Sequence, residues 1–153
     1  MLSFLKLKQQ KFFSPAEEHK IIEAIRTAET QTSGEVRLYI ESKCRFVDPL
    51  DRAAEIFYQL KMNETASHNG VLVYIATMHR QLAVFADEGI YKKAGQEFWN
   101  NAVNAMLLEF KKEHYAEGLV NIILKIGELL KTHFPYDAGT DKNELPDDIV
   151  FGR

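Results

Sequence analysis

Apolar and polar positions along this chain follow two rhythms, one of strands and one of helices. Val71, Leu72, Val73, Tyr74, Ile75 and Ala76 form one short apolar run, and Leu82, Ala83, Val84, Phe85 and Ala86 form a second. Both are rich in branched and aromatic residues, which predicts two strands at the centre of a sheet. The linker at 77–81 suits a hairpin and is too short for a crossover helix, so these strands run antiparallel. An earlier run, 35–41, alternates Val36, Leu38 and Ile40 with Arg37, Tyr39 and Glu41. That alternation predicts a strand with one buried face, farther from the sheet centre.

The remaining segments repeat at helical spacing. Ser14, Pro15 and Glu17 read as a capped helix start, followed by Ile21, Ile22, Ile25 and Ala28 on one face and ended by Ser33 and Gly34. Asp48 and Pro49 open a second helix with Leu50, Ala53, Ala54, Phe57 and Leu60 inward. After Gly89 one long helical pattern carries Phe98, Trp99, Ala102, Val103, Met106, Leu107 and Phe110; a last one carries Leu119, Ile122, Ile123, Ile126, Leu129 and Leu130 until Pro135 stops it. A strand, helix, strand unit makes the first two strands parallel. The expected fold is therefore α/β: a three-layer α/β/α sandwich around a small mixed sheet, two parallel strands plus an antiparallel hairpin strand. Three parts are expected: a basic and apolar N-terminal segment at 1–13, a domain at 14–135, and an acidic tail at 136–153. The tail is expected to be disordered over most of its length, with Ile149, Val150 and Phe151 docking as an edge strand or on a neighbour.

Composition narrows the function classes. Length alone, 153 residues, indicates one domain with a core of ordinary size. A formal net charge of -3 gives no general attraction to nucleic acid. The single cysteine, Cys44, has no internal disulfide partner, which fits a reducing compartment. Lysines interrupt the apolar character of the N-terminus, and no run reaches the ~20 apolar residues of a membrane span, so a cytoplasmic location is expected.

Candidate chemistry comes from the strand ends. With strands one and two parallel and three antiparallel, the stretches Ser33-Gly34-Glu35, His68-Asn69-Gly70 and Asp87-Glu88-Gly89 meet at one sheet edge. Glycine admits close backbone approach, while the oxygens of Glu35, Asn69, Asp87 and Glu88 suit calcium or magnesium. The other reading is structural: Asp87 as a helix cap, Glu88 as its dipole partner, and His68 as a surface loop residue. His79 and Arg80 lie at the opposite edge, where an anion or a plain polar turn both fit. No phosphate loop, dinucleotide fingerprint, cysteine pair or zinc-protease helix competes.

These stretches, with Val36, Val71-Leu72, Tyr74-Ile75-Ala76, Arg80 and Ile90, resemble the TPM domain family over most of the chain, from Ser14 to about Pro135. The resemblance implies a mixed sheet between helical layers, calcium or magnesium binding in some members, and acid phosphatase activity in a plant member. Many members carry aspartate where this chain has His68, a poorer ligand for hard cations. Many also carry a signal sequence and a transmembrane tail; neither is expected here, so the resemblance is to a small soluble branch of the family. Three functions follow as expectations. The first is a divalent-cation-binding module acting in protein interaction or assembly. The second is a metal-assisted phosphatase with Asp87 or Glu88 orienting water and His68 donating a proton. The third is a metal-free interaction protein that binds an unidentified partner through a helix face or the C-terminal triplet. Partner, substrate and oligomeric state are not encoded in the pattern.

Overall fold

The computed structural model describes residues 12–45, 48–136 and 149–152. The expectations for 1–11 and for a disordered tail at 137–148 lie outside the described residues. Helix α1 (Pro15–Thr30) starts as its sequence demands. Ser14 accepts from the Glu17 N–H, and the Glu17 carboxylate accepts from the Ser14 N–H. The chain then forms β1 (Glu35–Glu41), α2 (Pro49–Gln59) and a 3-10 turn at Met62–Glu64. Next come β2 (Gly70–Ala76), β3 (Gln81–Ala86), α3 (Glu88–Ala94), α4 (Gln96–Lys111), α5 (Tyr115–His133) and β4 (Ile149–Phe151).

The sheet order is β3-β2-β1-β4. β1 and β2 are parallel, with Glu35 opposite Gly70, and β2 and β3 are antiparallel, with Val71 opposite Ala86. β4 joins β1 in parallel, so the C-terminal triplet does serve as an edge strand. Val36, Leu38, Ile40, Val71, Val73 and Ile75 pack against α1, α4 and α5, while Leu72, Tyr74, Ala76 and Ala83 pack under α2. This is a three-layer α/β/α sandwich.

Four expectations change. β1 is not a half-solvated outer strand. β4 takes its second edge, and Glu35, Arg37 and Glu41 are buried with the apolar residues. Its polar alternation marks a face with buried polar partners rather than one facing water. β3, expected to be central, is a sheet edge among the described residues, yet stays largely buried because α2 and α4 wall both its faces. Leu50 and Leu107 lie exposed at 44% and 37%, because Ala53, Ile56 and Phe57, and Trp99, Ala102, Met106 and Phe110, occupy the inward faces.

The expected single long helix after Gly89 is two, broken at Gly95, whose φ of 82° and ψ of 151° lie in a region open almost only to glycine. A Cβ there would meet nothing within 4 Å, so strain alone opposes a side chain. Gly95→Ala should cost about 1 kcal/mol in urea unfolding. An unchanged midpoint would show that the α3–α4 break tolerates a side chain.

Candidate functional site

Three turns meet at one end of the sheet. The Glu35 N–H donates to the Asn69 carbonyl at 3.3 Å, and the Asp87 N–H donates to the Gly70 carbonyl at 2.9 Å. Side chains repeat the connection: Asn69 Nδ2 donates to Ser33 Oγ, and His68 Nδ1 lies 3.3 Å from Asp87 Oδ2. Gly34 and Gly89 keep negative φ, and their role is proximity. A Cβ on Gly34 would come within 2.7 Å of a Leu130 methyl and 3.1 Å of the Asn69 carbonyl oxygen. A Cβ on Gly89 would collide with the carbonyl oxygens of Ser67 and His68. Gly70 likewise faces the Met62 carbonyl at 3.1 Å.

The expected site residues differ in position. Glu35, Asn69 and Asp87 are buried, at 3%, 1% and 7% exposure, whereas Glu88 is exposed and His68 is half exposed. Asp87 caps α3, with Oδ1 accepting from the Glu88 N–H at 2.8 Å, while Oδ2 faces His68. Glu88 sits in the first turn of α3, as the structural reading has it. Asn69 receives order from both sides, its N–H donating to Thr65 Oγ1 at 3.3 Å, yet its buried Oδ1 has no hydrogen-bond partner among the described residues. His68 holds a φ of 49°, which aims its ring across the turn toward Asp87.

Among the described residues, the tight group of histidine and acidic ligand atoms is a different one: Glu109, His114 and Glu117, all within 4.8 Å of one another. It lies on the surface at the α4–α5 turn. Tyr115 beside it is hydrogen-bonded by Arg80 of the β2–β3 turn, so this group is at the far end of the sheet from the three glycine turns. The spacing of a glutamate, a histidine five residues on and a glutamate three beyond is the only signal in the sequence, and it is a weak one. His79 and Arg80, the possible anion site, have internal partners: His79 Nδ1 sits 3.1 Å from the Cys44 carbonyl, and Arg80 lies over the Tyr115 ring.

A buried polar network under α2 escapes the sequence reading entirely. Arg52 grips Glu41 through Nε at 2.9 Å and Nη2 at 2.8 Å, Tyr74 donates its hydroxyl to the same carboxylate, and Arg52 also reaches Glu55. Burial alone would raise the Glu41 carboxyl. The hydrogen bonds from Arg52 and Tyr74, with the charges of Arg52 and Arg45, outweigh it and hold Glu41 below 4.5. Burial first, then the Glu41 and Cys44 contacts, push the Tyr74 hydroxyl well above 10.0. Paired this fully, the network reads as architecture.

Comparison with known proteins places these features in a family. Among curated proteins, none matches the chain. Among solved structures, the NMR structure of the BA42 protein from the psychrophilic bacterium Bizionia argentinensis is similar at 39% identity and a TM-score of 0.83, over 92% of this chain and 96% of that one. The N-terminal domain of a P. gingivalis protein matches at 20% identity and a TM-score of 0.66, over 82% and 83% of the two chains. The N-terminal domain of cg2496 from Corynebacterium glutamicum matches at 15% and 0.62, over 77% and 74%. These last two share the fold alone. No helix among the described residues is long and apolar enough to cross a membrane. The family profile of the TPM domain matches residues 7–129, and with the glycine turns, mixed sheet and helical layers in place, the chain belongs to the TPM domain family.

Proposed function

We propose that this chain is a divalent-cation-binding module whose site is the rim of three glycine turns, and that it takes calcium or magnesium to order those turns for a protein partner. The observation that carries this reading is the buried Asn69 Oδ1, without a hydrogen-bond partner among the described residues, at the point where the turns cross. A buried amide oxygen left unbonded costs roughly 1–3 kcal/mol, a cost that an ordered water or a hard cation removes, and the buried carboxylates on the adjoining segments favour the cation. Asp87 supplies a buried carboxylate on a neighbouring turn, and Glu35 a second at the start of β1. Glu88, exposed one residue past the cap, would join only from the outer side. His68 occupies Asp87 Oδ2 in the meantime and competes with a cation for it.

Titration of calcium, then magnesium, against backbone amide resonances tests the proposal. Shifts should concentrate at Gly34, Asn69, Asp87 and Gly89. Asp87→Asn should weaken binding by roughly tenfold or more, about 1.4 kcal/mol, and His68→Asp should tighten it by adding an oxygen ligand and removing the competitor. A chain whose rim resonances stay still at millimolar cation, in the parent and in His68→Asp alike, has no such site. Metal-dependent turnover of a phosphomonoester that vanishes in Asp87→Asn would instead make the module an enzyme.

A further inference from the structure

A groove of about 900 Å³ runs along the outer edge of β3. Its floor is the strand itself. The Asp87 N–H bonds inward to Gly70, so by the alternation of an antiparallel ladder Phe85 and Ala83 also bond inward to β2. The N–H and C=O groups of Leu82, Val84 and Ala86 therefore face outward, into the groove, where no strand pairs with them among the described residues. The walls are apolar and raised. Leu50 and Tyr58 of α2 stand on one side, Tyr91 of α3 with Trp99 and Val103 of α4 on the other, and Leu50, Tyr58 and Tyr91 are exposed at 44%, 56% and 39%.

We infer that this groove is a docking site for one extended peptide segment of another protein, added to the sheet as a strand beside β3. Three features select that occupant. A row of alternating backbone donors and acceptors is matched in register by an extended backbone, which is how strand addition gains affinity. A floor recessed between helical walls admits a single chain, whereas the β3 of a second copy would be held off by its own walls of α2 and α4. Charge fixes the third feature: Asp48, Asp87 and Glu88 line the groove against Lys92 and the half-exposed His68, so a lysine or arginine belongs where the segment passes the Asp87 end. Side chains of the added strand would alternate between Leu50 and Tyr58 on one wall and Tyr91 and Trp99 on the other. Over the six residues of β3 the contact is roughly 20 Å long. The inference does not depend on a bound cation.

A displayed library of random twelve-residue peptides, selected on the full chain with a chelator present, tests it. Enriched sequences should alternate apolar residues and carry a basic residue near one end. A synthetic peptide of the enriched sequence should slow hydrogen exchange at Leu82, Val84 and Ala86. N-methylation of its pairing amides, and separately Tyr58→Glu with Tyr91→Glu on the exposed walls, should each weaken binding by roughly tenfold or more. Failure to enrich any peptide overturns the inference. So does an equal affinity for the N-methylated peptide, because contact without strand pairing is then enough. Amides of Leu82, Val84 and Ala86 already protected in the free chain also overturn it: protection that grows with concentration assigns the groove to a second copy, and protection at every concentration assigns it to the chain's own residues. Because the chelator removes calcium and magnesium, loss of the cation reading leaves these outcomes unaltered.

Discussion

Glu41→Ala should lower stability by about 2–3 kcal/mol, because it leaves Arg52 only its outer contact to Glu55 and takes the acceptor from the Tyr74 hydroxyl beneath α2. Glu41 is exposed by only 3% and Tyr74 is fully buried, so water cannot replace the acceptor that the Tyr74 hydroxyl loses, while Arg52, at 20%, is only partly covered. Thermal unfolding should move down by on the order of 10 °C for a chain of this size. The comparison that isolates the pair is Glu41→Met with Arg52→Met. Removing both charges together should be less damaging than removing Glu41 alone, since no guanidinium is then left partly buried with one of its two carboxylates gone. Strictly additive losses would mean the two residues are not coupled.

The same network sets the pH dependence. Glu41 is held below its unfolded value of 4.5, so its contribution is complete above about pH 4.5 and disappears as pH falls through the lower, folded value. Tyr74 is raised above 10.0, so its contribution is complete below pH 10 and fades as pH climbs beyond it. Glu41→Gln should therefore flatten the acid limb of a stability profile, while Tyr74→Phe flattens the alkaline limb and costs only about 1–2 kcal/mol near neutrality. An acid limb as steep in Glu41→Gln as in the parent would assign it to other carboxylates.

This network also marks where the sequence stopped being legible. The apolar runs of β2 and β3 and the five-residue link between them were enough to give an antiparallel pair, and the strand, helix, strand order gave the parallel one. Both inferences rest on short-range spacing. The burial of β1 rests on β4, a triplet more than a hundred positions away, and no local pattern shows that Arg37 and Glu41 face a covered layer. Glu41, Arg52 and Tyr74 come from three elements, 11 and 33 residues apart, and Tyr74 sits inside a run that reads as uniformly apolar. The rim was easier, because a glycine marks each strand end and topology brings the ends together. What the turns do with their oxygens was not readable. Asp87 is at once a cap and a partner of His68, and only the folded chain shows that Asn69 Oδ1 is buried without a hydrogen-bond partner among the described residues.

Gly89→Ala is the substitution in which local and tertiary physics predict opposite signs. Gly89 is the second residue of α3, and replacing a helical glycine with alanine ordinarily stabilises by about 1 kcal/mol. Here the new methyl would drive into the carbonyl oxygens of Ser67 and His68, which are backbone atoms tied to the sheet through Asn69 and cannot swing aside as a side chain would. Relief requires the first turn of α3 to lift away, which pulls the Asp87 cap from His68 and from the Gly70 carbonyl. Overpacking of this kind outweighs the propensity gain, so the net expectation is a loss of about 2–3 kcal/mol. Amide shifts should spread from Gly89 to His68, Asn69 and Gly70, and calcium, if the rim holds it, should lose its site in the same variant. A thermal midpoint at or above the parent's would show that the turns are not in close contact, and with that the convergence on which the cation reading rests would be gone.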